Sequence, residues 1–307
     1  MSGVVAGIDL GGTGSRFVAY GRDGVIGSTA VATAALGAGD LEQRLARLVD
    51  TLRSLVPAGR ALLAVGIGAS GPVDRATGVI HNHETLPMFS GFPLVAVLQK
   101  RLAVDVMIDN DAVTAAIAEQ RLGAGRGARH MLMVTFGTGI GAAFLENGAP
   151  FRGPGGEHPE AGHIPIITGA GRCYCGAEGC WEQVASRSAL QAMLQPHLPP
   201  DTEHRDVLAS AAAAVDDPLI QNVFERYGRL VGRGLSVLHS LYRPDVTILG
   251  GSAADYLPMF MDGMQQAMAR QPEFAVKTAI RTAVLGDNAG AIGAALIVHE
   301  SLYGRTR

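Results

Sequence analysis

Charge, cysteine and long apolar runs are scarce in this sequence, and each scarcity removes a class of function. Only 17% of the 307 residues are Asp, Glu, Lys or Arg, and 28 acids against 25 bases leave a net charge of −3. That balance offers no basic face to a nucleic-acid backbone or an anionic membrane, so the expected partners are small molecules. No stretch approaches the roughly 20 apolar residues of a membrane span. The apolar run Val4 to Ile8 before Asp9 is too short for a signal-peptide core. The chain is therefore expected in the cytoplasm, where an odd, clustered set of three cysteines reads as metal binding and not as disulfides. A low-complexity segment, a basic tail and a clear linker are also missing.

Apolar residues and glycine are plentiful, at 48% of the chain and 41 residues. The length suggests about two domains, and the composition supplies sizeable cores joined by many tight turns.

All three cysteines fall between Glu160 and Glu182. Cys173, Cys175 and Cys180 are spaced Cys-x-Cys-x₄-Cys, and His163 stands ten residues upstream of the first. Zn²⁺ takes thiolates and imidazoles in a tetrahedron, and these four residues make a complete ligand set. Gly169, Gly171, Gly176 and Gly179 suit a chain bent tightly round an ion, because glycine tolerates positive φ. Three buried, inert cysteines are the alternative, for which such clustering would be a coincidence.

Elsewhere the chemistry sits at strand ends. Val4 to Leu10 and Arg16 to Tyr20 read as strands joined by Gly11-Gly12-Thr13-Gly14-Ser15, a tip whose N–H groups can approach phosphate, with Asp9 at its base placed for a hydrated Mg²⁺. An ordinary β-turn fits that tip equally well, and neither a dinucleotide fingerprint nor a Walker loop is present there. A helix is predicted over 40–56 with Asp40 as N-cap, then a strand from Ala61 to Gly68 running into Ala69-Ser70-Gly71, where open α/β sheets place ligands. After a helix at Leu94 to Leu102, a strand over Val104 to Ile108 leads to Asp109-Asn110-Asp111 and a helix over Ala112 to Leu122. Asp111 is the candidate base; capping of that helix by Asp111 or Asp109 is the competing and compatible role.

Strand, glycine turn, strand recurs at Met131 to Phe136, Gly137-Thr138-Gly139-Ile140-Gly141 and Ala142 to Leu145. Two such hairpins suggest two related half-domains facing a phosphate site. Helices follow at Ser186 to Leu194, Asp206 to Val215 and Leu219 to Tyr242, the last stopped by Pro244. Val246 to Leu249 is a strand ending in Gly250-Gly251-Ser252, suited to close approach by a nucleotide or to a plain turn. Ala279 to Leu285 reads as a last strand, and Ala289 to Leu302 as a final helix in which Gly290 and Gly293 permit close packing.

With these motifs in view, the chain resembles the ROK family (repressors, open reading frames and kinases), sugar kinases of the actin-like ATPase superfamily, over essentially its whole length. Asp9-Leu10-Gly11-Gly12-Thr13 is similar to the family's first phosphate motif, Gly137-Thr138-Gly139-Ile140-Gly141 to its second and Gly250-Gly251 to its adenosine-side turn. Asn110-Asp111 resembles the pair whose Asp is the catalytic base, and Glu160-x-Gly-His163, the cysteine run and Glu182 resemble the joint sugar and zinc signature.

The resemblance implies an actin-like, ribonuclease H-like fold of two α/β lobes with a cleft between them. Residues 1–115, completed by helix 289–307, would form the first lobe, and 116–288 the second, with the zinc loop. It implies ATP and a hexose as substrates, with transfer of the γ-phosphoryl group to the 6-hydroxyl. Asp111 would be the base, and Ser70, Gly71, Asn110, Asp111, Glu160, His163 and Glu182 would read the sugar. Asp9, Gly11, Gly12, Thr13, Gly137, Thr138, Gly139, Gly250 and Gly251 would hold the nucleotide, with Asp9 on Mg²⁺. His163, Cys173, Cys175 and Cys180 would hold a structural zinc, and a homodimer or homotetramer would be the assembly. Lobe closure would exclude water as a competing acceptor.

Several positions depart from the usual pattern in ways that bear on the sugar. Glu84-Thr85-Leu86-Pro87 replaces a frequent Asn before Leu-Pro, with His81, Asn82 and His83 in the same loop, and Val113 stands where a second Asn is common. Trp181 replaces an aliphatic residue, and His158-Pro159-Glu160 is similar to fructokinase-like members. A fructokinase or N-acetylhexosamine kinase is therefore an alternative, as is polyphosphate in place of ATP. A sugar-sensing transcriptional regulator is the alternative of another class. Regulators of this family carry a helix-turn-helix before the phosphate motif, and the eight residues ahead of Asp9 are too few for one.

Overall fold

The computed structural model describes residues 3–269 and 274–304, so the outermost parts of the expected first lobe, 1–2 and 305–307, lie outside the described residues. The strands are β1 (Val4–Leu10), β2 (Gly14–Gly21), β3 (Gly24–Ala32), β4 (Leu62–Ala69), β5 (Val73–Asp74), β6 (Val79–Ile80) and β7 (Asp105–Asn110). They continue with β8 (His130–Phe136), β9 (Ile140–Glu146), β10 (Ala149–Pro150), β11 (Val246–Gly250) and β12 (Ala279–Thr282). The helices are α1 (Thr33–Leu36), α2 (Leu41–Leu55), α3 (Leu94–Leu102), α4 (Asp111–Leu122) and α5 (Trp181–Ala185). After them come α6 (Arg187–Leu194), α7 (Val207–Ala213), α8 (Pro218–Tyr242), α9 (Leu257–Met268) and α10 (Ala289–Tyr303). The chain forms two compact units, one of residues 1–129, 143–159 and 284–307, the other of 130–142 and 160–283.

In the first unit the sheet order is β3-β2-β1-β4-β7, antiparallel across β2 and parallel from β1 to β7, with Ile8 paired to Phe17 and to Ile67, and Ile67 to Ile108. Side chains alternate between faces with period two. Ala6, Ile8 and Leu10 of β1 and Val65, Ile67 and Ala69 of β4 join Leu45, Leu48 and Leu52 of α2 and Leu94 and Leu98 of α3 in one buried core. The intervening positions, Gly7, Gly66 and Gly68, have no side chain to interpose, and α10 and α4 lie directly against them. A Cβ on Gly7 would stand 1.9 Å from the Ala291 carbonyl, one on Gly66 1.8 Å from that of Ala294, and one on Gly68 2.5 Å from Thr114 Oγ1. Gly293 of α10 meets α4 the same way, 1.7 Å from the Thr114 carbonyl.

A buried carboxylate ties the returning chain to this assembly. Glu119 of α4 accepts hydrogen bonds from the backbone N–H groups of Val284 and Leu285 through Oε1 and of Ala124 through Oε2. With 0% exposure its charge is matched by three donors, the condition under which burial is tolerated.

The second sheet runs β10-β9-β8-β11-β12 and repeats the first, a hairpin strand set followed by parallel neighbours. In the second unit α8 and α9 pack through glycines: Gly228 and Gly232 face the carbonyls of Phe260 and Met264, and Gly263 faces that of Glu225. His239 lies buried against Thr247, Nε2 to Oγ1 2.8 Å, and burial pushes it down to about 4, so it is neutral at physiological pH.

Four features differ from the sequence expectation. Asn110 is the N-cap of α4, its Oδ1 accepting from the N–H groups of Ala112 and Val113, and Asp111 adds to it with Oδ1 accepting from the Ala112 N–H at 2.7 Å. Strand β12 ends at Thr282, before a short turn over Gly286–Asn288. Strand β3 and helices α5 and α9 form where none was predicted. Trp181 is a packing residue with 0% exposure, its indole N–H donating to the Leu230 carbonyl at 3.1 Å and its ring lying over Gly234. The departure at Trp181 therefore concerns the core and not the choice of sugar.

The glycine contacts predict a sharp contrast between two strand substitutions. Gly66→Ala is expected to lose about 2–4 kcal/mol, because the atom in the way is backbone. Gly27→Ala, whose Cβ would meet only Leu55 at 3.9 Å, should stay within about 0.5 kcal/mol. Urea unfolding midpoints measure both, and equal losses would show that close backbone contact is not what holds α10.

Candidate active site

In the first unit the candidate residues gather at the carboxyl ends of β1, β4 and β7. The Asp9 carboxylate packs on the first turn of α10, where a Cβ on Gly290 would stand 2.5 Å from Oδ2. Burial, then the neighbouring Asp111 carboxylate, push Asp9 up to about 7, with Arg16 opposing and Asp287 adding to the rise. Arg16 contacts Asp287 directly and offsets part of the charge on Asp9. Such a nest suits a hard dication.

The turn after β1 is braced by a residue that the sequence did not single out. Thr33 Oγ1 donates to the Gly11 carbonyl at 2.6 Å and bonds Ser15 Oγ at 2.8 Å, while its N–H donates to the Thr13 carbonyl. Gly12 is confined by Thr85, which a Cβ would approach to 3.0 Å. Thr85 is in turn held by Asn82, whose amide bonds Thr85 and the Ser70 carbonyl, so the residues of the unusual loop brace the turn. Gly71 has φ +89° and its carbonyl accepts from Asn110 Nδ2 at 3.2 Å.

Asp109 and Asp111 part company in their surroundings. Asp109 is 2% exposed, paired with Arg75 at 3.2 Å and with Arg152, and accepts from the Asn110 N–H. Asp111 is half-buried on the first turn of α4. Asp109 thus has the setting of a structural ion pair.

In the second unit His163, Cys173, Cys175 and Cys180 come together, with one ligand atom from each within 4.8 Å of all the others. Cys173 Sγ lies 3.6 Å from His163 Nδ1, and Cys175 Sγ lies 3.6 Å from Cys180 Sγ. A tetrahedral zinc with Zn–S bonds of about 2.3 Å needs ligand pairs roughly 3.8 Å apart, so the donor set fits. Gly169, Gly171, Gly176 and Gly179 all adopt positive φ, from +75° to +96°. Burial and the adjacent thiols push Cys180 up to about 12, so three thiolates would not coexist here without a cation to offset them.

Glu182, on α5, leans from this cluster toward the second glycine turn. Its Oε1 is 3.8 Å from His163 Nδ1 and its Oε2 accepts from the Ile140 N–H at 3.2 Å. Gly139 leaves room for that carboxylate, since a Cβ would stand 2.3 Å from it. Glu160 is exposed immediately before the short helical turn carrying His163. Tyr174, also missed from sequence, bonds His163 Nε2 through its hydroxyl at 3.2 Å, and its ring stands edge-on to the imidazole. Burial and the Glu182 carboxylate push the Tyr174 phenol up. Thr138 and Ser252 are linked by Arg187, whose guanidinium reaches both hydroxyls. Gly251, at φ +77°, passes close to the Phe136 backbone. No helix among the described residues is long and apolar enough to cross a membrane.

Known proteins share this architecture. The ROK family model matches residues 5–301. The glucokinase of Streptomyces coelicolor is 29% identical across 97% of this chain and 98% of its own. The structure of a ROK family glucokinase from Streptomyces griseus in complex with glucose and AMPPNP matches with TM-score 0.80 and 28% identity, over 95% of this chain and 98% of that one. The ROK hexokinase from Thermus thermophilus gives 0.79 at 30% identity, over 97% and 99%.

The raised Asp9 has a consequence for stability. Its folded pKa near 7 exceeds the unfolded value of 3.8, so without added Mg²⁺ the folded state holds this proton more tightly. Stability from this group is full below about pH 4 and is lost as pH rises through about 7. Asp9→Asn should remove that slope and raise stability at pH 8 by roughly 1 kcal/mol or more after solvent screening. Thermal unfolding between pH 5 and 8 measures it, and an unchanged slope would refute the assignment.

Proposed function

The chain belongs to the ROK family and is a sugar kinase, and on that premise we propose that it transfers the γ-phosphoryl group of ATP to the 6-hydroxyl of glucose or a closely related hexose. The observation that carries the reading is the difference between Asp109 and Asp111. Asp109 is nearly fully buried and held by two arginines, whereas Asp111 is half-buried on the first turn of α4, next to the Asp9 carboxylate, and from there serves as general base. It accepts the proton of the attacking hydroxyl as the new O–P bond forms and the bond from the γ-phosphorus to the bridging oxygen of ADP breaks. Reactions of this kind depend mainly on positioning and charge compensation.

Asp9 would hold Mg²⁺, which would offset charge on the phosphates, and the turns at Gly11-Gly12-Thr13 and Gly137-Thr138-Gly139 supply backbone donors. Gly250-Gly251 receives the adenosine side. Ser70, Gly71, Asn110, Glu160, His163 and Glu182 read sugar hydroxyls.

Zinc is structural, because three thiolates and one imidazole fill a tetrahedron and leave no open position. Its role is to fix the loop from Glu160 to Glu182, which is otherwise closed by only a few backbone bonds, among them Ile166 N–H to the Gly179 carbonyl and Trp181 N–H to that of Ile164. His163 serves both sites, with Nδ1 facing the thiols and Nε2 turned to the Tyr174 hydroxyl.

Sugar-dependent ADP release from ATP and Mg²⁺, measured across glucose, fructose, mannose, N-acetylglucosamine, N-acetylmannosamine and allose, tests the reaction, and no release with any of them would sink it. Asp111→Asn should lower kcat by about 10²–10⁴-fold with little change in sugar binding. Elemental analysis should find one zinc per chain, and Cys175→Ser should lose metal and stability together.

A further inference from the structure

Arg187 opens α6, and its side chain spans the two glycine turns of the second unit. Nη2 lies 3.3 Å from Thr138 Oγ1, Nη1 lies 3.2 Å from Ser252 Oγ, and its backbone N–H donates to the Gly137 carbonyl at 3.0 Å. Nε is buried without a hydrogen-bond partner. A guanidinium has five donors in a fixed fork that matches paired oxygens on phosphate or carboxylate. Among the described residues its side-chain partners are two neutral hydroxyls, and no carboxylate forms an ion pair with it. A cation whose Nε–H is turned inward and unmatched is costly to hold unless an anion completes it.

We propose that Arg187 contacts the phosphate chain of the nucleotide donor, at the diphosphate portion that remains on ADP. The inference rests on the donor site assigned above. The turn at Thr138 belongs to the phosphate side of that site and the turn at Ser252 to the adenosine side, and the stretch of nucleotide that joins those two sides is the α- and β-phosphates. Arg187 sits at both turns, with its remaining Nη hydrogens available to phosphate oxygens. The Thr138 and Ser252 hydroxyls hold the fork in place and can donate to the same oxygens, so the ligand adds acceptors without dismantling the cradle. Because the contact is to groups present in substrate and product alike, it strengthens ATP and ADP binding equally and leaves the chemical step little changed.

The test is calorimetric binding of ADP and of adenosine to wild type, Arg187→Gln and Arg187→Lys, with steady-state kinetics on each. Loss of charge-assisted bonds should weaken ADP binding and raise KM for ATP about ten- to a hundredfold in Arg187→Gln, with kcat and the sugar KM within about threefold. Adenosine binding should be unchanged, and Arg187→Lys should recover part of the ADP affinity. Equal weakening of ADP and adenosine would make Arg187 a brace between turns and overturn the assignment, as would ADP affinity equal to wild type. Wild-type protein that binds no ADP would overturn the kinase reading together with this one.

Discussion

Backbone lies against backbone where α10 meets the first sheet, and the placement of the candidate site residues Asp9 and Asp111 follows from that contact. Gly7 and Gly66 present bare peptide to Ala291 and Ala294, and Gly293 presents the same to Thr114 of α4. With no side chains between them, sheet, α10 and α4 are fixed to within a fraction of an ångström, since packed interiors do not deform continuously. Asp9 then falls on the first turn of α10 beside Gly290, and Asp111 on the first turn of α4, close enough for each charge to affect the other. The glycines that look permissive in the sequence are the most constrained positions in the fold.

The second unit solves a related problem with different chemistry. Its candidate sugar-reading groups lie on a stretch with little regular structure, so rigidity has to come from elsewhere. Trp181 supplies part of it, anchoring α5 through Leu230, Gly234 and an edge-on contact with Phe136. The Cys₃His cluster supplies the rest, and Glu182 joins it to the glycine turn at Gly139 and Ile140. One carboxylate thus connects the Cys₃His loop to the second glycine turn.

Much of the fold was legible because the relevant signals are local. Helix α2 announced itself through Asp40 and its apolar spacing, and the structure adds the reciprocal bond from Gln43 that completes a capping box. The glycine turns and the four clustered ligands could be named from spacing alone. Strand β3 could not, because its half-exposed Gly, Ser, Thr and Ala positions offer little apolar contrast. Helix α9 begins without a side-chain cap and carries Gly263 in its interior, so Pro258 in its first turn was a start marker with little beside it. Asn110 and Asp111 are both good caps, and only backbone geometry decides between them. Thr33, Tyr174, Arg187 and Glu119 were missed for a common reason: each acts on partners distant in sequence, and residue type alone does not reveal an encounter made by the fold.

Helix α10 also sets a condition on how the protein comes into being. Strand β1 leaves the ribosome before the second unit and α10 after it, yet the glycine face of β1 and β4 is covered by α10. During translation that face stays uncovered while nearly the whole of the second unit is made. The order of synthesis therefore opposes the order of burial, and completion of the first unit is a late, long-range event of the kind that slows folding and exposes a nascent chain to association. A face made of glycine is well suited to that wait, for it displays peptide groups that water can hydrate where large apolar side chains would have invited other partners.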